Sequence, residues 1–208
     1  MPVLVIATRN PGKLREFQRL LAGLQAKILS LDEAGVSITV EETGNSYEQN
    51  ATLKAAGYAR ESRQITVADD SGVEVDALGG APGVRSATYT GPGQSDAQRT
   101  QRLLELVAGV PARLRTARYR AVLAIARPGR GPEGVTLFRG TCDGVLADAP
   151  RGNNGFGYDP IFLVPSLGRT MAELSDLEKD AISHRGNAAR AALSYLKELL
   201  AAGRLNGD

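Results

Sequence analysis

The fold class of this chain follows from the stretch Val3-Leu4-Val5-Ile6-Ala7-Thr8-Arg9-Asn10-Pro11-Gly12-Lys13. Its first five residues are all apolar, which is typical of a buried strand. Asn10 then suits a helix N-cap, and Pro11 suits the first helical position. Apolar residues recur at helical spacing as far as about Leu24. The stretch therefore predicts a buried strand, a tight turn and an amphipathic helix.

Helix and strand patterns continue to mix along the rest of the chain. The sequence Ser46-Tyr47-Glu48-Gln49 is a capping box that opens a second helix. We predict helices at 47–63, 96–108 and 186–202, strands at 65–68, 117–127 and 135–142, and loops at 71–82, 128–134 and 150–160. This mixture indicates an α/β or α+β protein, and no segment has the composition of a linker between independent domains.

Length and composition restrict the classes of protein to which the chain can belong. The 208 residues are 42% hydrophobic, enough for the core of one domain, with room for two lobes that share a sheet. Lys and Arg number 25 against 23 Asp and Glu, a net charge of only +2. The densest basic group is Arg115, Arg118 and Arg120, which we interpret as solvated or interface residues of a strand, so we expect no nucleic acid partner.

Cysteine content and the N-terminus bear on the compartment. Cys142 is the only cysteine, so no internal disulfide can form, which fits a reducing compartment. The apolar run at 2–7 is too short for a signal peptide or a membrane span. We therefore expect a soluble, cytoplasmic protein without a membrane partner. A catalytic pair of Cys142 with His184, the only histidine, has no motif behind it, so we expect Cys142 to be inert.

The turn at residues 8–13 has the chemistry of a phosphate-binding site. A helix N-terminus presents N–H groups and the positive end of the helix dipole. Gly12 allows the backbone to approach closely, and Lys13 adds a full positive charge. This is not a Walker A loop, because Ala7 and Leu14 stand where that motif has Gly and Ser or Thr. Taken alone, the turn equally fits an ordinary capped helix with a surface lysine.

Two adjacent acidic pairs, Glu41-Glu42 and Asp69-Asp70, are the second chemical feature. The aspartates follow the predicted strand at 65–68 and are expected at its end. Mg²⁺ prefers oxygen ligands and often takes only one or two carboxylates, with water and phosphate filling the other positions. Because neighbouring side chains of a strand point to opposite faces, one aspartate is expected to reach an ion. The other would support it or hold a lysine such as Lys54. Each pair alone also fits a solvated or structural turn.

Residues 155–160 and 178–186 supply candidate contacts to a nucleoside. Phe156, flanked by glycines, can stack on a nucleobase, and Asp159 can accept hydrogen bonds from a base or ribose. Three possible donors stand near a predicted helix start: Lys179, His184 and Arg185. By themselves these segments also fit core, hinge or surface roles. Together with the phosphate turn and the carboxylates, they suggest a magnesium-assisted reaction on a nucleotide.

Six segments of the chain resemble the motifs of the inosine/xanthosine triphosphate pyrophosphatases, in that family's order and spacing. They are Thr8-Arg9-Asn10-Pro11-Gly12-Lys13, Glu41-Glu42-Thr43-Gly44, Ala68-Asp69-Asp70-Ser71-Gly72, Gly79-Gly80-Ala81-Pro82-Gly83, Phe156-Gly157-Tyr158-Asp159 and Ser183-His184-Arg185-Gly186. They are distributed over nearly the whole chain. Several specific motifs in register identify a family more firmly than any one of them.

The resemblance implies a fold and an activity. The fold would be α/β, an elongated mixed β-sheet with flanking helices and two lobes around a central substrate cleft, with residues 1–208 forming a single domain. The activity would be Mg²⁺-dependent hydrolysis of ITP, dITP and XTP to the monophosphate and pyrophosphate, which cleanses the nucleotide pool. The resemblance also implies a homodimer.

Individual roles are implied in the same way. Asp70 would be the proton acceptor, and Glu41 and Asp70 would hold the metal ion. Whether Glu42 or Asp69 also binds the ion stays open. The substrate-binding positions would be Thr8, Arg9, Asn10, Pro11, Gly12, Lys13, Ser71, Phe156, Gly157, Tyr158, Asp159, Lys179, His184 and Arg185.

Two rival interpretations remain at this point. A Maf-like nucleoside triphosphate pyrophosphatase would share the chemistry but choose a different base, and a nucleotide sensor would bind without cleaving. The paired carboxylates argue against a sensor, because clustered negative charge gains nothing for phosphate binding alone. A serine hydrolase is disfavoured, since there is no Gly-x-Ser-x-Gly elbow and the only histidine lies beside Ser183.

Overall fold

The structure is a computed structural model that describes residues 1–91 and 93–205, with side chains as far as residue 202. Within this part of the chain there are five α-helices and seven β-strands. The helices are α1 Pro11–Leu20, α2 Tyr47–Ser62, α3 Asp96–Leu106, α4 Asp176–Ile182 and α5 His184–Leu205. The strands are β1 Val3–Ile6, β2 Lys27–Ser30, β3 Ile65–Val75, β4 Thr116–Ala126, β5 Thr136–Leu146, β6 Phe162–Val164 and β7 Arg169–Thr170. Among these residues, no helix combines the length and the apolar character needed to cross a membrane.

The strands form one mixed sheet, which confirms the α/β class. In the described residues its order is β2-β1-β3-β4-β5-β6-β7. Strand β1 pairs in parallel with both β2 and β3, whereas β6 pairs antiparallel with both β5 and β7. Helices α2 and α3 begin at the predicted residues, Tyr47 and Asp96. The short elements β2, β6, β7 and α4 were not predicted.

Strand β3 corrects a prediction about the aspartate pair. It runs on to Val75, so Asp69-Asp70 lies in the middle of a strand and not at its end, and the first residues of the predicted 71–82 loop are extended. The cause is the alternation at 73–75. Val73 and Val75 are fully buried, while Glu74 pairs with Arg120 at 2.9 Å. That burial carries the extended conformation through Ser71-Gly72.

Helix α1 is shorter than its apolar pattern predicts. It ends at Leu20, and residues 21–24 form a turn, although the prediction ran to about Leu24. Leu21 and Leu24 are nevertheless buried in the core. Their spacing in the sequence therefore reflects burial in the same core as the helix, although the helix itself has ended.

The chain divides into two compact units. Unit 1 comprises Met1–Asp70, Ala121–Gly140 and the chain from Arg185 to its described end. Its core draws on β1, α1, β4 and α5, including Leu4, Phe17, Leu123, Ile125 and Leu196. Asn10 caps α1 as predicted, since its side-chain oxygen accepts a hydrogen bond from the Lys13 N–H at 3.0 Å. This cap fixes the start of the helix after the buried strand.

Unit 2 comprises Ser71–Arg120, apart from the undescribed residue 92, and Thr141–His184. Its core includes Val73, Leu103, Tyr119, Phe162 and Met171. Helix α3 begins with a full capping box formed by Ser95 and Gln98. The turn after β3 is tied down by Ser86, whose hydroxyl accepts the Val73 N–H at 2.9 Å. Helix α3 thus has a defined start and packs through Leu103 into the core of this unit.

Candidate functional site

The turn before α1, which is predicted to bind phosphate, forms a capped helix start. Thr8 Oγ1 accepts the Asn10 N–H at 3.2 Å, and Pro11 opens the helix. Gly12 is buried, while Lys13 leaves only 17% of its side chain exposed. Lys13 Nζ lies 3.0 Å from a carboxylate oxygen of Asp69. The turn is therefore coupled directly to the aspartate pair within unit 1.

Arg9 is engaged with a different segment of unit 1. Its guanidinium donates to Asp32 at 3.0 Å and to the carbonyl oxygens of Val36 and Ile38 at 3.2 and 3.1 Å. These contacts hold the backbone that leads to Glu41-Glu42. Arg9 was predicted to bind substrate, and here it orders a segment on the way to a predicted metal ligand.

Asp69 is surrounded by cations. Besides Lys13, its carboxylate accepts Arg185 Nε at 3.2 Å, and Arg185 Nη1 lies 3.1 Å from the buried Glu16. Burial by itself would raise the pKa of Asp69, but Lys13, Arg185 and Lys54 together hold that pKa well below its usual range. Burial lowers the pKa of Lys13, against the opposing effect of Asp69. The lysine that Asp69 holds is therefore Lys13 and not the suggested Lys54.

Asp70 faces a different set of partners. Asn50 Nδ2 donates to it at 3.1 Å, and Lys54 Nζ lies 3.8 Å from its other oxygen. The same ammonium is 2.7 Å from Glu42. Burial raises the pKa of Asp70 to about 6, with Lys54 and Lys13 acting in the opposite direction. The two aspartates thus accept hydrogen bonds from different side chains, as alternation along a strand predicts, although Lys13 and Lys54 act on the pKa of both.

The donor set around Asp70 fits a hard divalent cation. Oxygens of Glu42 and Asp70 converge on one ammonium, that of Lys54, and Glu41 is exposed beside Glu42. In the described residues, no three His, Cys, Asp or Glu side chains form a complete metal-binding group. Mg²⁺ does not require one, since it commonly takes one or two carboxylates and fills its shell with water and phosphate oxygens. Ser71, the next residue of β3, is half-buried.

Asp159 organises the second group of predicted residues, which lies in unit 2. Its carboxylate accepts the Phe156 N–H at 2.9 Å, Lys179 Nζ at 2.5 Å and the Tyr119 hydroxyl at 3.2 Å. Gly155 passes so close to the Asp159 carboxylate that an added Cβ would collide with one of its oxygens, so only glycine fits there. The loop 155–159, called the aromatic loop below, is therefore built around one buried carboxylate.

The rings near Asp159 are arranged as a set. Lys179 Nζ lies 4.8 Å from the centre of the half-buried Phe156 ring. Tyr119 stacks on His184 with ring centres 4.5 Å apart and planes 12° from parallel. Tyr158 points into the core, where its hydroxyl donates to Ser86 O at 2.9 Å and burial raises its pKa to about 12. Phe156 and His184 thus have fixed neighbours, while Tyr158 packs as a core residue.

The structure adds residues to those predicted. Unit 1 gathers the turn at 8–13 and Asp70 with the unpredicted Asn50 and Glu16, and Arg185 joins this group. Unit 2 gathers the aromatic loop, Lys179 and His184 with the unpredicted Tyr119. Asn50 directly follows the predicted capping box at the start of α2, and the sequence contains no other local signal for it. That box is only half formed, because the Ser46 hydroxyl accepts the Gln49 N–H at 3.2 Å but the Gln49 side chain accepts the Asn45 N–H at 2.7 Å. Tyr119 falls in the predicted strand at 117–127, whose pattern gives no sign of its contact with Asp159.

Comparison with known proteins gives a consistent result. A model of the Ham1 family matches residues 4–195. A dITP/XTP pyrophosphatase of Geobacillus kaustophilus is 49% identical over 188 residues, covering 90% of this chain and 91% of that protein. A dITP/XTP pyrophosphatase of Bacillus subtilis is 43% identical over 202 residues, covering 97% and 98%.

A solved structure extends the likeness to three dimensions. The structure of a HAM1 protein from Coxiella burnetii superposes with a TM-score of 0.84 at 40% identity, covering 95% of this chain and 100% of that one. The family resemblance seen in the motifs is thereby confirmed over most of the sequence. The chain belongs to the Ham1 family.

Proposed function

We propose that this protein hydrolyses the non-canonical purine nucleoside triphosphates ITP, dITP and XTP to the monophosphate and pyrophosphate, and so cleanses the nucleotide pool. The observation that carries the proposal is the link from Lys13 to Asp69, 3.0 Å long, which joins a helix N-terminus suited to phosphate with a pair of buried carboxylates. The dITP/XTP pyrophosphatases of two bacteria, matched over 90% of the chain or more, support the same substrate class.

The phosphates would be held by the turn at 8–13. Backbone N–H groups at the start of α1 and the positive end of its dipole favour phosphate oxygens. Lys13 adds a positive charge, and its ion pair with Asp69 fixes the orientation of the lysine side chain. The Asp69 carboxylate is held in turn by Arg185. Asp69 would therefore support Lys13 and would not itself bind the metal ion.

Glu41 and Asp70 would hold a Mg²⁺ ion, with Glu42 beside them. When bound, the ion would neutralise the negative charge that accumulates on the phosphate oxygens during transfer. Lys54 now lies between Glu42 and Asp70, 2.7 and 3.8 Å from their oxygens. It would limit the repulsion between these carboxylates before a ligand arrives.

Asp70 would act as the base of the reaction. Its carboxylate would orient a water molecule and take its proton as the oxygen attacks the α-phosphorus, while the bond to the β-phosphate oxygen breaks and pyrophosphate leaves. Asn50 donates to one Asp70 oxygen at 3.1 Å and so restricts the rotation of the group. Burial raises the pKa of Asp70 to about 6, closer to neutral pH, where a general base is most effective.

Base selection would depend on the purine 6-position. Hypoxanthine and xanthine carry a carbonyl acceptor there, whereas adenine carries an amino donor. A donor from the His184-Arg185 segment would pair with the carbonyl and face the amino group unfavourably, a mismatch that can discriminate by roughly 10⁴. Phe156, Asp159 and Lys179 would contribute further contacts to substrate, with Phe156 stacking on the base, and Tyr158 would support them from the core.

A substrate panel tests the proposal. Pyrophosphate release would be measured from ITP, XTP, ATP, GTP and dTTP, with Mg²⁺ and with EDTA. We expect strong activity on ITP and XTP that EDTA abolishes. Activity spread over all five, or confined to dTTP, would contradict the proposed base choice while keeping the chemistry. Silence on all five would contradict the hydrolysis itself and favour a sensor.

Arg185→Ala tests the base-selection part of the proposal. The ratio of kcat/KM for ITP to that for ATP should narrow if Arg185 discriminates the 6-position. An equal fall of both activities would make Arg185 a general support of Asp69 and Glu16, which its two contacts at 3.2 and 3.1 Å also permit.

Assembly and location complete the proposal. The protein would work in the cytoplasm as a homodimer, in which all of residues 1–208 serve one catalytic domain. Light scattering after size exclusion gives the mass in solution, and 21.9 kDa is the value for one chain. A mass near that value at working concentration would contradict the homodimer. Cell fractionation with tagged protein tests the location.

A further inference from the structure

The aromatic loop is held from a second side by helix α3. Phe156 donates its own N–H to Asp159, and the next N–H along the chain, that of Gly157, donates to Asp96 Oδ2 at 2.6 Å. Thr100 Oγ1 donates to the carbonyl oxygen of Gly157 at 3.3 Å. One turn of α3 therefore binds both backbone polar groups of the residue that follows Phe156.

The loop has a composition that calls for such anchoring. Gly155 and Gly157 both have positive φ, at 75° and 63°, and glycine residues leave a backbone more freedom than any other type. A ring carried between two glycines is held in one orientation only if the adjacent peptide groups are bonded. The bonds to Asp159 and Asp96 fix the peptide groups on either side of Phe156.

Helix α3 is a firm support for these bonds. Its N-terminus has a complete capping box, and Leu103, on the same helix, is fully buried in the core of unit 2. Asp96 is also paired with Arg99, one turn along, which orients its carboxylate. A groove of about 830 Å³ lies beside this contact and is lined by both α3 and the aromatic loop, so the loop would have space to move if released.

We propose that Asp96 and Thr100 are positioning residues that hold Phe156 in the orientation in which it stacks on the purine. This rests on the proposed function, because it takes Phe156 as the stacking residue. Stacking acts on the base in ground state and transition state alike, so its loss raises KM and leaves kcat nearly unchanged. A merely structural role would do the opposite, since a smaller folded fraction lowers apparent kcat at constant KM.

The first test compares Asp96→Ala with Asp96→Asn. Losing a base–aromatic stack weakens binding by roughly 5- to 150-fold, and a displaced ring loses part of it. We expect Asp96→Ala to raise KM for ITP about tenfold, with kcat within about twofold. Asp96→Asn keeps an acceptor oxygen for Gly157 N–H and should restore KM to within about twofold of wild type. Thr100→Val should raise KM about threefold, because it removes one longer hydrogen bond.

A control and a double mutant make the test specific. Glu105→Gln changes a charge on the exposed face of the same helix, where Glu105 pairs with Arg102 at 3.1 Å, and should leave KM unchanged. If Asp96 acts through Phe156, then Asp96→Ala added to Phe156→Ala should raise KM no further. Melting temperatures of all variants would identify any loss of folded protein.

The outcomes separate this inference from the proposed function. Suppose that the wild type cleaves ITP. This inference alone is overturned if Asp96→Ala has the wild-type KM, if it lowers kcat without raising KM, or if it raises KM further when added to Phe156→Ala. If wild type cleaves neither ITP nor XTP, the proposed function fails and this inference fails with it. A raised KM with rescue by asparagine and no added effect on Phe156→Ala supports it.

Discussion

The two units of the molecule handle their buried charges differently. In unit 1, Asp69 and Asp70 lie among three cations, with contacts from 3.0 to 3.8 Å. In unit 2, the described residues place one cation, Lys179, against Asp159, together with a phenol and a backbone N–H. Where several carboxylates and cations alternate, a cation can leave a carboxylate to bind a highly charged ligand. Rings that are fixed around one carboxylate instead offer a flat apolar surface. Under the proposed function, the first arrangement would suit phosphate groups and the second would suit a base.

A second contrast lies within one strand. Asp69 and Asp70 are adjacent, yet Asp69 is bonded to Lys13 and Arg185 while Asp70 has Asn50 and a more distant lysine, Lys54. The pKa of Asp69 is held low, and burial raises the pKa of Asp70 to about 6. Two carboxylates whose environments separate their pKa values in this way commonly have different tasks. Asp69 would stabilise the fold and position Lys13, and Asp70 would do the chemistry.

The largest expected effect is that of Asp70→Asn on turnover. Asparagine keeps the shape and the contact with Asn50 but removes both the base and a charge for the metal ion. We expect kcat for ITP to fall by about 10³-fold or more, while the affinity for nucleotide changes little. Kinetics with ITP and equilibrium binding of the nucleotide measure the two quantities separately.

Asp148→Asn is the matched control for that substitution. Asp148 is 81% exposed and pairs only with Arg115 among the ion pairs of the described residues, so turnover should stay at the wild-type level. Near wild-type turnover in Asp70→Asn would remove Asp70 from the mechanism and erase the contrast between the neighbouring aspartates.

Asp69→Asn should show the other side of the contrast, as a loss of stability. The substitution leaves the positive charges of Lys13 and Arg185 buried with less compensation. Removing one partner of a buried ion pair typically costs several kcal/mol, so we expect the free energy of unfolding to fall by about 3 kcal/mol at pH 7. Urea unfolding measures it, and Asp148→Asn should change it by less than about 0.5 kcal/mol. If Asp69→Asn changed the free energy of unfolding equally little, the Asp69 carboxylate would not stabilise the buried Lys13 and Arg185.

A ligand without a base tests whether the charges of unit 1 bind phosphate while the rings of unit 2 do not. Inorganic triphosphate should inhibit ITP hydrolysis competitively. We expect Lys13→Met to raise its inhibition constant about tenfold, because a charge-assisted contact is lost. Lys179→Met should leave that constant within about twofold while raising KM for ITP. Lys27→Met, at the exposed start of β2, is the control for loss of a positive charge.

Equal weakening of triphosphate binding by Lys13→Met and Lys179→Met would contradict the division. Both lysines would then act on phosphate, and the arrangement of rings around Asp159 would have a structural purpose only. The melting temperature of Lys179→Met must be followed, since the substitution leaves Asp159 buried without its cation.

The parts predicted from sequence are those whose signal is local. The cap at Asn10, the first strand and the starts of α2 and α3 depend on residues within a few positions of one another. The separate surroundings of Asp69 and Asp70 also followed from sequence, because strand alternation is a local rule. Burial patterns and capping residues are enough for such features.

The parts that were missed depend on distant contacts. Arg185 lies 116 positions from Asp69 and 169 from Glu16, so no window of sequence reveals that buried chain of charges. The extension of β3 was missed because Ser71-Gly72 has turn chemistry, which burial of the valines at 73 and 75 overrode. Tyr119 contacts a carboxylate 40 positions away, and its own strand gave no sign of it.

The smallest expected effect comes from an exposed carboxylate beside a buried lysine. Glu178 precedes Lys179 on α4, accepts the Ser175 N–H at 2.8 Å and pairs with Arg169 at 2.7 Å. These bonds lower the pKa of Glu178 from 4.5 to about 2, with the Arg169 hydrogen bond the largest cause. A group whose pKa is lowered in the folded state stabilises that state above its unfolded pKa, and the contribution fades as pH falls from about 4.5 towards 2.

Glu178→Gln should therefore slightly lower the urea midpoint at pH 7, and the difference in midpoint from wild type should shrink by pH 4. Glu133→Gln, on an exposed turn, is the control for loss of an exposed glutamate charge. A gap for Glu178→Gln that stays constant down to pH 3 would mean that the cap acts through its shape and not through its charge. The exposed carboxylate would then differ from the buried ones in kind as well as in strength.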